Sequence, residues 1–262
     1  MNESKHLTHT DLLDNKCNPL SITFVYGRPE HSKRGVVWQK LRNMKNIAHP
    51  NWQCIGDFNQ ILSREEKLSF SQGTIVGVDL FQQVISKLQL CDLVATGQRF
   101  TWMNNRKEDE FVMERLDRAF ASVEWVNTYP HYALKNHPII RSNHGPILLD
   151  FKYQHPFSKR PFRFECLWIT HFACKDMIQQ AWRLHTNSLR AAQLNNKLSN
   201  VRKEATNWNR SVFGRVEIEI KRKMVQLQDI QNSVNSIKDV RKEIIAREEL
   251  EELVHKEELT WA

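Results

Sequence analysis

Hydrophobic and polar positions divide the chain into two parts with different periodicities. In the first part, short alternating runs rich in β-branched and aromatic residues predict strands, and apolar residues three or four positions apart predict helices. Strands are predicted at Ser21–Tyr26, Trp52–Asn59 and Phe100–Trp102, helices at Val36–Ile47 and Val78–Leu90, and further short apolar runs within Val112–Phe120 and Pro138–Phe151. This mixture predicts an α+β domain.

The second part has a heptad-like pattern instead. Its apolar positions are Ile220, Leu227, Ile230, Val234, Ile237 and Ile244, with Lys223 and Arg241 interrupting the series. A seam this narrow predicts one long helix over about residues 217–259 that packs against a partner helix or self-associates. The polar residues 1–19 are predicted to be irregular or disordered.

Composition excludes several classes of protein. Among 262 residues, 40% are hydrophobic and 26% are charged, which excludes a long disordered chain. No apolar stretch of about 18 residues predicts a membrane span, and the polar N-terminus has no secretory signal. We therefore expect a nuclear or cytoplasmic protein with no membrane partner. The five cysteines lack zinc-site spacing, and the net charge of +8 is compatible with a nucleic-acid partner.

The first candidate site is the motif Gly56-Asp57-Phe58-Asn59, at the end of a predicted strand. Residues two positions apart in an extended chain point to the same side, so Asp57 and Asn59 would project together. A proton-accepting carboxylate beside an amide that holds a phosphate oxygen suits hydrolysis of a phosphate ester. The alternative is a turn closed by the Asp and Asn side chains, which both residues favour.

Two further motifs contain acid–base residues. In Ser142-Asn143-His144-Gly145-Pro146, a histidine precedes an apolar run, and in Arg115-Leu116-Asp117-Arg118 a carboxylate lies between arginines. Histidine is the commonest general acid or base, and a carboxylate can orient its ring. The alternatives are a surface-loop histidine and a surface ladder of ion pairs between Asp117 and its arginines.

Taken in order, these motifs resemble the endonuclease/exonuclease/phosphatase superfamily, whose fold is a two-sheet, four-layer α/β/β/α sandwich. The segments FVYGRPEHSKRGVVWQKL, CIGDFNQIL, GQRFTWMNNR and MERLDRAFAS resemble the endonuclease region of plant LINE-type non-LTR retrotransposon polyproteins. PFRFECLWITH and NWNRSVFG resemble the connector toward the reverse transcriptase in those elements. The resemblance implies a partial sandwich over residues 20–153 and a helical connector over residues 154–262.

The resemblance also implies catalytic roles. Tyr26 matches a tyrosine that contacts the scissile phosphate, and Asp57 matches the aspartate that activates or orients the attacking water. Asn59 matches an asparagine that holds a phosphate oxygen. Asp117 matches the aspartate that orients the catalytic histidine, here His144. The implied reaction is Mg²⁺-assisted attack of water on a DNA phosphodiester.

Substrate and metal contacts follow from the same resemblance. Trp102 and Asn104 are expected to contact DNA at the rim of the site. The family's Ser-Asp-His motif reads Ser-Asn-His here, so Asn143 is expected to be a weakened metal ligand. A hard cation prefers a carboxylate oxygen, and Mg²⁺ affinity should fall.

The family's metal-binding Glu, and an Asn–Asp pair near it, lie before the tyrosine motif, but only 25 residues precede Tyr26. We therefore expect an N-terminally truncated domain, that is, a degenerate or incomplete metal-dependent DNA endonuclease that is inactive alone. The alternatives are a non-catalytic nucleic-acid-binding fragment and a coiled-coil interaction fragment.

Overall fold

The structure is a computed structural model that describes residues 2–71, 74–151, 162, 164, 168–169, 171–183, 190–212 and 214–259. The chain divides into two compact units. The first unit is Met1–His155 with Leu227–Ile245, and the second is Pro156–Gln226 with Ala246–Ala262. The predicted domain boundary at 153–154 lies outside the described residues. Because the first unit includes Leu227–Ile245, it contains a segment of the predicted helical connector over residues 154–262.

Strands and helices follow one another along the chain as a mixed α+β fold. The strands are β1 (Asn2–Ser4), β2 (Leu7–Leu13), β3 (Pro19–Tyr26), β4 (Trp52–Asp57), β5 (Lys67–Ser69), β6 (Cys91–Asp92), β7 (Ala95–Gly97), β8 (Trp102–Met103), β9 (Val112–Glu114), β10 (Asp117–Ala121), β11 (Ala133–Asn136) and β12 (Ile147–Asp150). The helices are α1 (Arg34–Lys45), α2 (Val78–Leu88), α3 (Val123–Thr128), α4 (Phe172–Arg183), α5 (Arg190–Val212), α6 (Gly214–Ser233) and α7 (Ile237–Leu259).

Three sheets organise the first unit. The largest has six strands in the order β1-β2-β3-β4-β10-β6, and two three-stranded sheets have the orders β12-β11-β7 and β5-β9-β8. Within the largest sheet, β3 and β4 are parallel, and β10 is antiparallel to β4. The chain returns from β3 to β4 through α1, as a parallel connection requires.

Apolar side chains cover both faces of the largest sheet. On one face, α1 and α2 place Trp38, Leu41 and Phe81 against Phe120 of β10. On the other face, the neighbouring residues Ala119 and Ala121 pack with β7, β11, β12 and α3. Successive residues of a strand point to opposite faces, so β10 contributes side chains to both apolar clusters. Two packed sheets with helices confirm the predicted α+β class.

The turn between α6 and α7 packs on the third sheet. Val234 and Val240 are buried against Phe100, Met113 and Ile139, which belong to the Met1–His155 part of the first unit. The segment therefore completes an apolar cluster of the first unit.

Two local predictions differ from the structure. The N-terminal residues predicted to be irregular form β1 and β2, and β2 pairs with β3 along its whole length. The buried side of β2 includes the polar residue His9, whose Nδ1 bonds Thr23 Oγ1 at 2.8 Å, and this polar residue hides the alternation. The long helix predicted over 217–259 is interrupted between Ser233 and Ile237. There the Ser236 hydroxyl accepts a hydrogen bond from Asp239 N, which caps a new helix.

The second unit is helical in its described residues. Trp168 is buried with Cys174 of α4 and Ala205 of α5, and its ring meets that of Trp208 edge-on with centroids 6.3 Å apart. These aromatic contacts hold α4 and α5 together. Across the described part of the whole chain, no helix is both long enough and apolar enough to cross a membrane.

Candidate active site

Three neighbouring strands bring predicted site residues side by side. Tyr26 ends β3, Asp57 ends β4 and Asp117 begins β10. In the strand register, Tyr26 is opposite Asp57, and Asp57 is opposite Asp117. Side chains opposite one another on neighbouring strands project from the same face. Residues far apart in the sequence therefore form one row at one end of the largest sheet, with Tyr26 half exposed.

Gly56 allows β4 to deliver Asp57 at this position. Its φ is +143°, a backbone conformation that L side chains rarely adopt. A Cβ at Gly56 would also lie 2.1 Å from the carbonyl oxygen of Val25 on β3. The close approach of β3 and β4 just before the row therefore requires glycine.

Asp57 and Asn59 contact each other directly. The Asn59 backbone N–H donates to Asp57 Oδ1 at 2.7 Å, and Asn59 Nδ2 donates to Asp57 Oδ2 at 2.7 Å and to the carbonyl oxygen of Gly27 at 3.0 Å. Asn59 adopts a left-handed φ of 50°, which asparagine tolerates. The turn closed by the Asp and Asn side chains is thus formed, and it also fixes the Asp57 carboxylate. Both side-chain donors of Asn59 are engaged, so its predicted contact with a phosphate oxygen stays a prediction.

Asp117 and His144 form a second pair. His144 Nδ1 lies 2.9 Å from Asp117 Oδ2, as the sequence predicts for a carboxylate that orients an imidazole. The side chain of Asp117 is 13% exposed and that of His144 is 34% exposed. His144 is also joined to Trp102 by an antiparallel bridge. The surface-loop alternative for His144 does not fit this position.

Thr101 connects the chain segment that contains Asp117 with the segment that contains His144. Its buried hydroxyl accepts hydrogen bonds from the backbone N–H groups of Leu116 and Asp117, at 3.0 and 2.8 Å. Its carbonyl oxygen accepts from Gly145 N, next to His144. Sequence reasoning missed Thr101. The only signal was a threonine between two aromatic residues of a predicted strand.

The arginines beside Asp117 have a different role from the surface ladder considered for them. Arg118 is fully buried, and both it and Arg115 form ion pairs with Glu66 and Asp92. Asp117 takes no part in this network among the described ion pairs. The ladder alternative for Asp117 is therefore wrong, because successive residues of β10 point to opposite faces and Asp117 lies on the face opposite to Arg118.

Burial and like charge perturb the acid–base groups of the site. Burial and the negative charge of Asp117 raise the pKa of Asp57 to about 6, against the opposing effects of the Asn59 N–H, His144 and Arg34. Burial lowers the pKa of His144, but the hydrogen bond to Asp117 and the charges of Asp117 and Asp57 outweigh it, so the net pKa is raised. The site therefore holds a weakly acidic carboxyl beside an imidazole that retains its proton more readily than usual.

The donor set fits a divalent cation. Asp57, Asp117 and His144 each offer a ligand atom, and these atoms lie within 4.8 Å of one another. Mg²⁺ is commonly bound by one or two carboxylates together with substrate phosphates and water. The carboxylates of Asp57 and Asp117 match that preference, whereas His144 Nδ1 is engaged with Asp117.

The remaining predicted residues lie near the pair or in the adjoining hairpin. Trp102 is on β8, beside His144. Asn104 ties the β8–β9 hairpin together: its Nδ2 donates to the carbonyl oxygen of Glu110, and its Oδ1 accepts from Val112 N. Asn143 is exposed, and its carbonyl oxygen accepts from Met103 N. The substrate role of Trp102 and Asn104 and the metal role of Asn143 stay predictions.

Comparison with solved structures finds a similar endonuclease domain. The solved endonuclease domain of TRAS1, a telomere-specific non-LTR retrotransposon, is similar with a TM-score of 0.46 and 12% sequence identity. The similarity covers 57% of this chain and 65% of that domain. No family model matches the chain. No curated protein matches it either.

Proposed function

We propose that the first unit is a degenerate, divalent-metal-dependent DNA endonuclease of the non-LTR retrotransposon type, with weakened metal binding. The sequence resemblance predicts a domain that is inactive alone, whereas the cluster of acidic and histidine groups supports weak residual activity, and that activity is the function proposed. The observation that carries this proposal is the cluster of Asp57, Asp117 and His144, whose ligand atoms lie within 4.8 Å of one another where the adjacent strands β4 and β10 place the two carboxylates side by side. The sequence resemblance to plant LINE-type endonuclease regions supports the choice of DNA as substrate and of Mg²⁺ as cation.

Each group of the cluster has a role in hydrolysis. The Asp57 carboxylate accepts a proton from water, whose oxygen forms a bond to phosphorus while the bond to one ester oxygen breaks. The leaving oxygen takes up a proton from solvent water. Asp117 accepts from His144 Nδ1 and holds the ring, so that the protonated imidazole stabilises charge on the phosphate. The half-exposed Tyr26 donates its hydroxyl to a phosphate oxygen.

A cation held by the carboxylates of Asp57 and Asp117 would act as a Lewis acid on the phosphate. Asn143, with the role that the resemblance implies, offers a neutral amide oxygen in place of a carboxylate. Activity would accordingly need more Mg²⁺ than a carboxylate at this position would require. A DNA-directed activity also favours a nuclear location.

Nicking of supercoiled plasmid in millimolar Mg²⁺ tests the proposal. The wild type is expected to relax the plasmid, and Asp57→Ala to lower the rate by about 10²–10⁴-fold because the proton acceptor is lost. Asp79→Ala is the matched control, since Asp79 is an exposed carboxylate on α2. Salt-sensitive DNA binding without nicking by the wild type would contradict the proposal and favour a non-catalytic nucleic-acid-binding protein.

A further inference from the structure

A cavity of about 230 Å³, lined by charged and apolar residues, adjoins the catalytic row on the side of Asn59. We call it the Arg34 cavity. Its side-chain lining includes Arg34, His31 and Lys67 and the single carboxylate Glu114. Two permanent positive charges therefore face one negative charge beside the proposed site.

The charge of Arg34 is not paired with a carboxylate in the part of the chain that the structure describes. Its guanidinium donates to the carbonyl oxygens of Arg28 and Pro29, both at 2.9 Å, and to Gln60 Oε1 at 2.6 Å. Burial lowers the pKa of Arg34, and the nearby charges of Glu114 and Asp57 oppose that effect. All described hydrogen bonds of this half-buried guanidinium go to neutral oxygens. Its loss of hydration therefore costs free energy, and an anion bound directly to it would lower that cost.

Lys67 supplies the second charge. Its Nζ lies 2.6 Å from Glu114 Oε1, and the two side chains are only 25% and 19% exposed. An ammonium group has three donors, so this one bond leaves Lys67 able to donate to a further oxygen. Glu114 thereby holds the lysine at the cavity.

The strand register relates this cavity to the catalytic histidine. Lys67 is opposite Glu114 on β5 and β9, Glu114 is opposite Trp102 on β9 and β8, and Trp102 bridges to His144. Neighbouring strands are about 4.8 Å apart, so the backbones of Lys67 and His144 are separated by about 14 Å. An anion at Lys67 is therefore a different group from a phosphate at His144, but it lies within reach of the same DNA strand.

We propose that the Arg34 cavity binds a second phosphate of the DNA strand, separate from the phosphate that is cleaved. Lys67 donates directly to that phosphate, and Arg34 supplies fixed positive charge while holding the loop after Tyr26 against Gln60. Contacts of this kind set the register of a protein on DNA without reading its sequence. The inference rests on the proposed function, since it names a subsite for the same substrate.

The salt dependence of duplex DNA binding tests this subsite. Binding is measured by fluorescence anisotropy in an Asp57→Asn background without divalent metal, so that no cleavage occurs. Each phosphate contact contributes about 0.9 to the slope of log K against log salt concentration. Lys67→Gln is expected to reduce that slope by about 0.9. Lys87→Gln is the control. Lys87 is exposed on α2, about 13 Å along the helix from its first residue, Val78, and its substitution is expected to leave the slope unchanged.

A second variant guards against loss of folding. Lys67→Gln with Glu114→Gln leaves no unpaired carboxylate at the cavity and is expected to show the same reduced slope. Glu114→Gln alone frees Lys67 and is expected to tighten binding. Unchanged slopes in both Lys67 variants would overturn the subsite, even if the wild type nicks plasmid. A reduced slope in a protein that does not nick would support the subsite and count against the catalytic proposal.

Discussion

Asp57 combines two unfavourable features for an ionised carboxylate. It is largely buried, and it lies in the same row as Asp117, so its pKa is raised to about 6. A shift of one pKa unit corresponds to about 1.4 kcal/mol between the two protonation states. Near neutral pH the Asp57 carboxylate is therefore ionised in a site that solvates it less well than water does in the unfolded chain, and this lowers the stability of the fold. Such a cost is typical of functional sites, where stability is given up for chemistry.

Asp57→Asn is accordingly expected to stabilise the fold while abolishing cleavage. A carboxyl with a raised folded-state pKa destabilises the fold in its ionised form. The gain from Asp57→Asn should therefore be absent below about pH 4, grow between about pH 4 and 6, and reach about 1–3 kcal/mol above that. Urea unfolding of both proteins at several pH values measures it, with Asp79→Asn as the control. A destabilised variant at pH 8 would contradict the assignment.

Asn143 is the residue whose replacement should improve the proposed enzyme. Asn143→Asp introduces next to His144 the carboxylate that the Ser-Asp-His motif of the resembled family has at this position. Because divalent cations prefer charged oxygen ligands, the Mg²⁺ concentration for half-maximal nicking should fall by about tenfold or more. A magnesium titration of the initial nicking rate measures this effect. Ser142→Asp is the control, and an equal shift in both variants would indicate only a general gain of negative charge.

At the scale of elements, the α6–α7 turn belongs to the first unit. Gln231 is fully buried on α6, and its amide reproduces a backbone pairing with Ile139: Nε2 donates to the Ile139 carbonyl oxygen and Oε1 accepts from Ile139 N, both at 3.1 Å. Nε2 also donates to Glu243 Oε1 of α7 at 2.9 Å. One side chain therefore joins two helices to the loop between β11 and β12.

Gln231→Ala is expected to lower the free energy of unfolding of the first unit by about 2–4 kcal/mol. The substitution leaves the buried N–H and carbonyl groups of Ile139 without partners, and each unpaired group costs about 1–3 kcal/mol. Chemical unfolding measures the loss. Gln226→Ala, at an exposed position of the same helix, is expected to change stability by less than about 0.5 kcal/mol. Equal small effects would mean that the turn does not dock as described.

Elements with strong local patterns could be predicted from the sequence, and those shaped by tertiary contacts could not. The apolar spacing of α1 and α2 predicts the ends of both helices within two residues. β2 was missed because a buried His9, whose Nδ1 bonds Thr23, replaces an apolar residue. The interruption between α6 and α7 had a visible signal, since Ser236 and Asp239 have capping-box spacing. The heptad pattern across it concealed that signal.

At the scale of the whole molecule, the site depends on distant parts of the chain. Sequence motifs predicted the Asp117–His144 pair, and the order of the motifs placed Tyr26 and Asp57 with it. Thr101 and Arg34 could not be found in the same way, because no motif assigns either of them a role and their roles follow only from the backbone N–H groups and the Gln60 amide that the fold brings to them. The ion-pair network of Arg118 was likewise invisible, since its partners lie on other elements.

A shortened chain that ends at residue 155 is expected to lose cooperative folding. It lacks the segment Leu227–Ile245, and with it Val234, Val240 and the hydrogen bonds of Gln231. Burial of each large apolar side chain contributes about 1.5–3 kcal/mol, against a net stability of about 5–15 kcal/mol. Thermal unfolding and dye binding to exposed apolar surface measure the effect. A sharp transition near that of the full chain would contradict the two-part first unit.

Whether Asp57, Asp117 and His144 act together in catalysis is tested by single-turnover cleavage of a DNA duplex. The rate is measured for the wild type and for Asp57→Asn, Asp117→Asn, His144→Gln and the triple variant. Residues that act as one catalytic unit show strongly non-additive losses. We expect Mg²⁺-dependent cleavage by the wild type, and a loss in each single variant that approaches the loss in the triple variant. Cleavage that persists in the triple variant, or no cleavage by the wild type at any Mg²⁺ concentration, would show that these residues do not form a catalytic site.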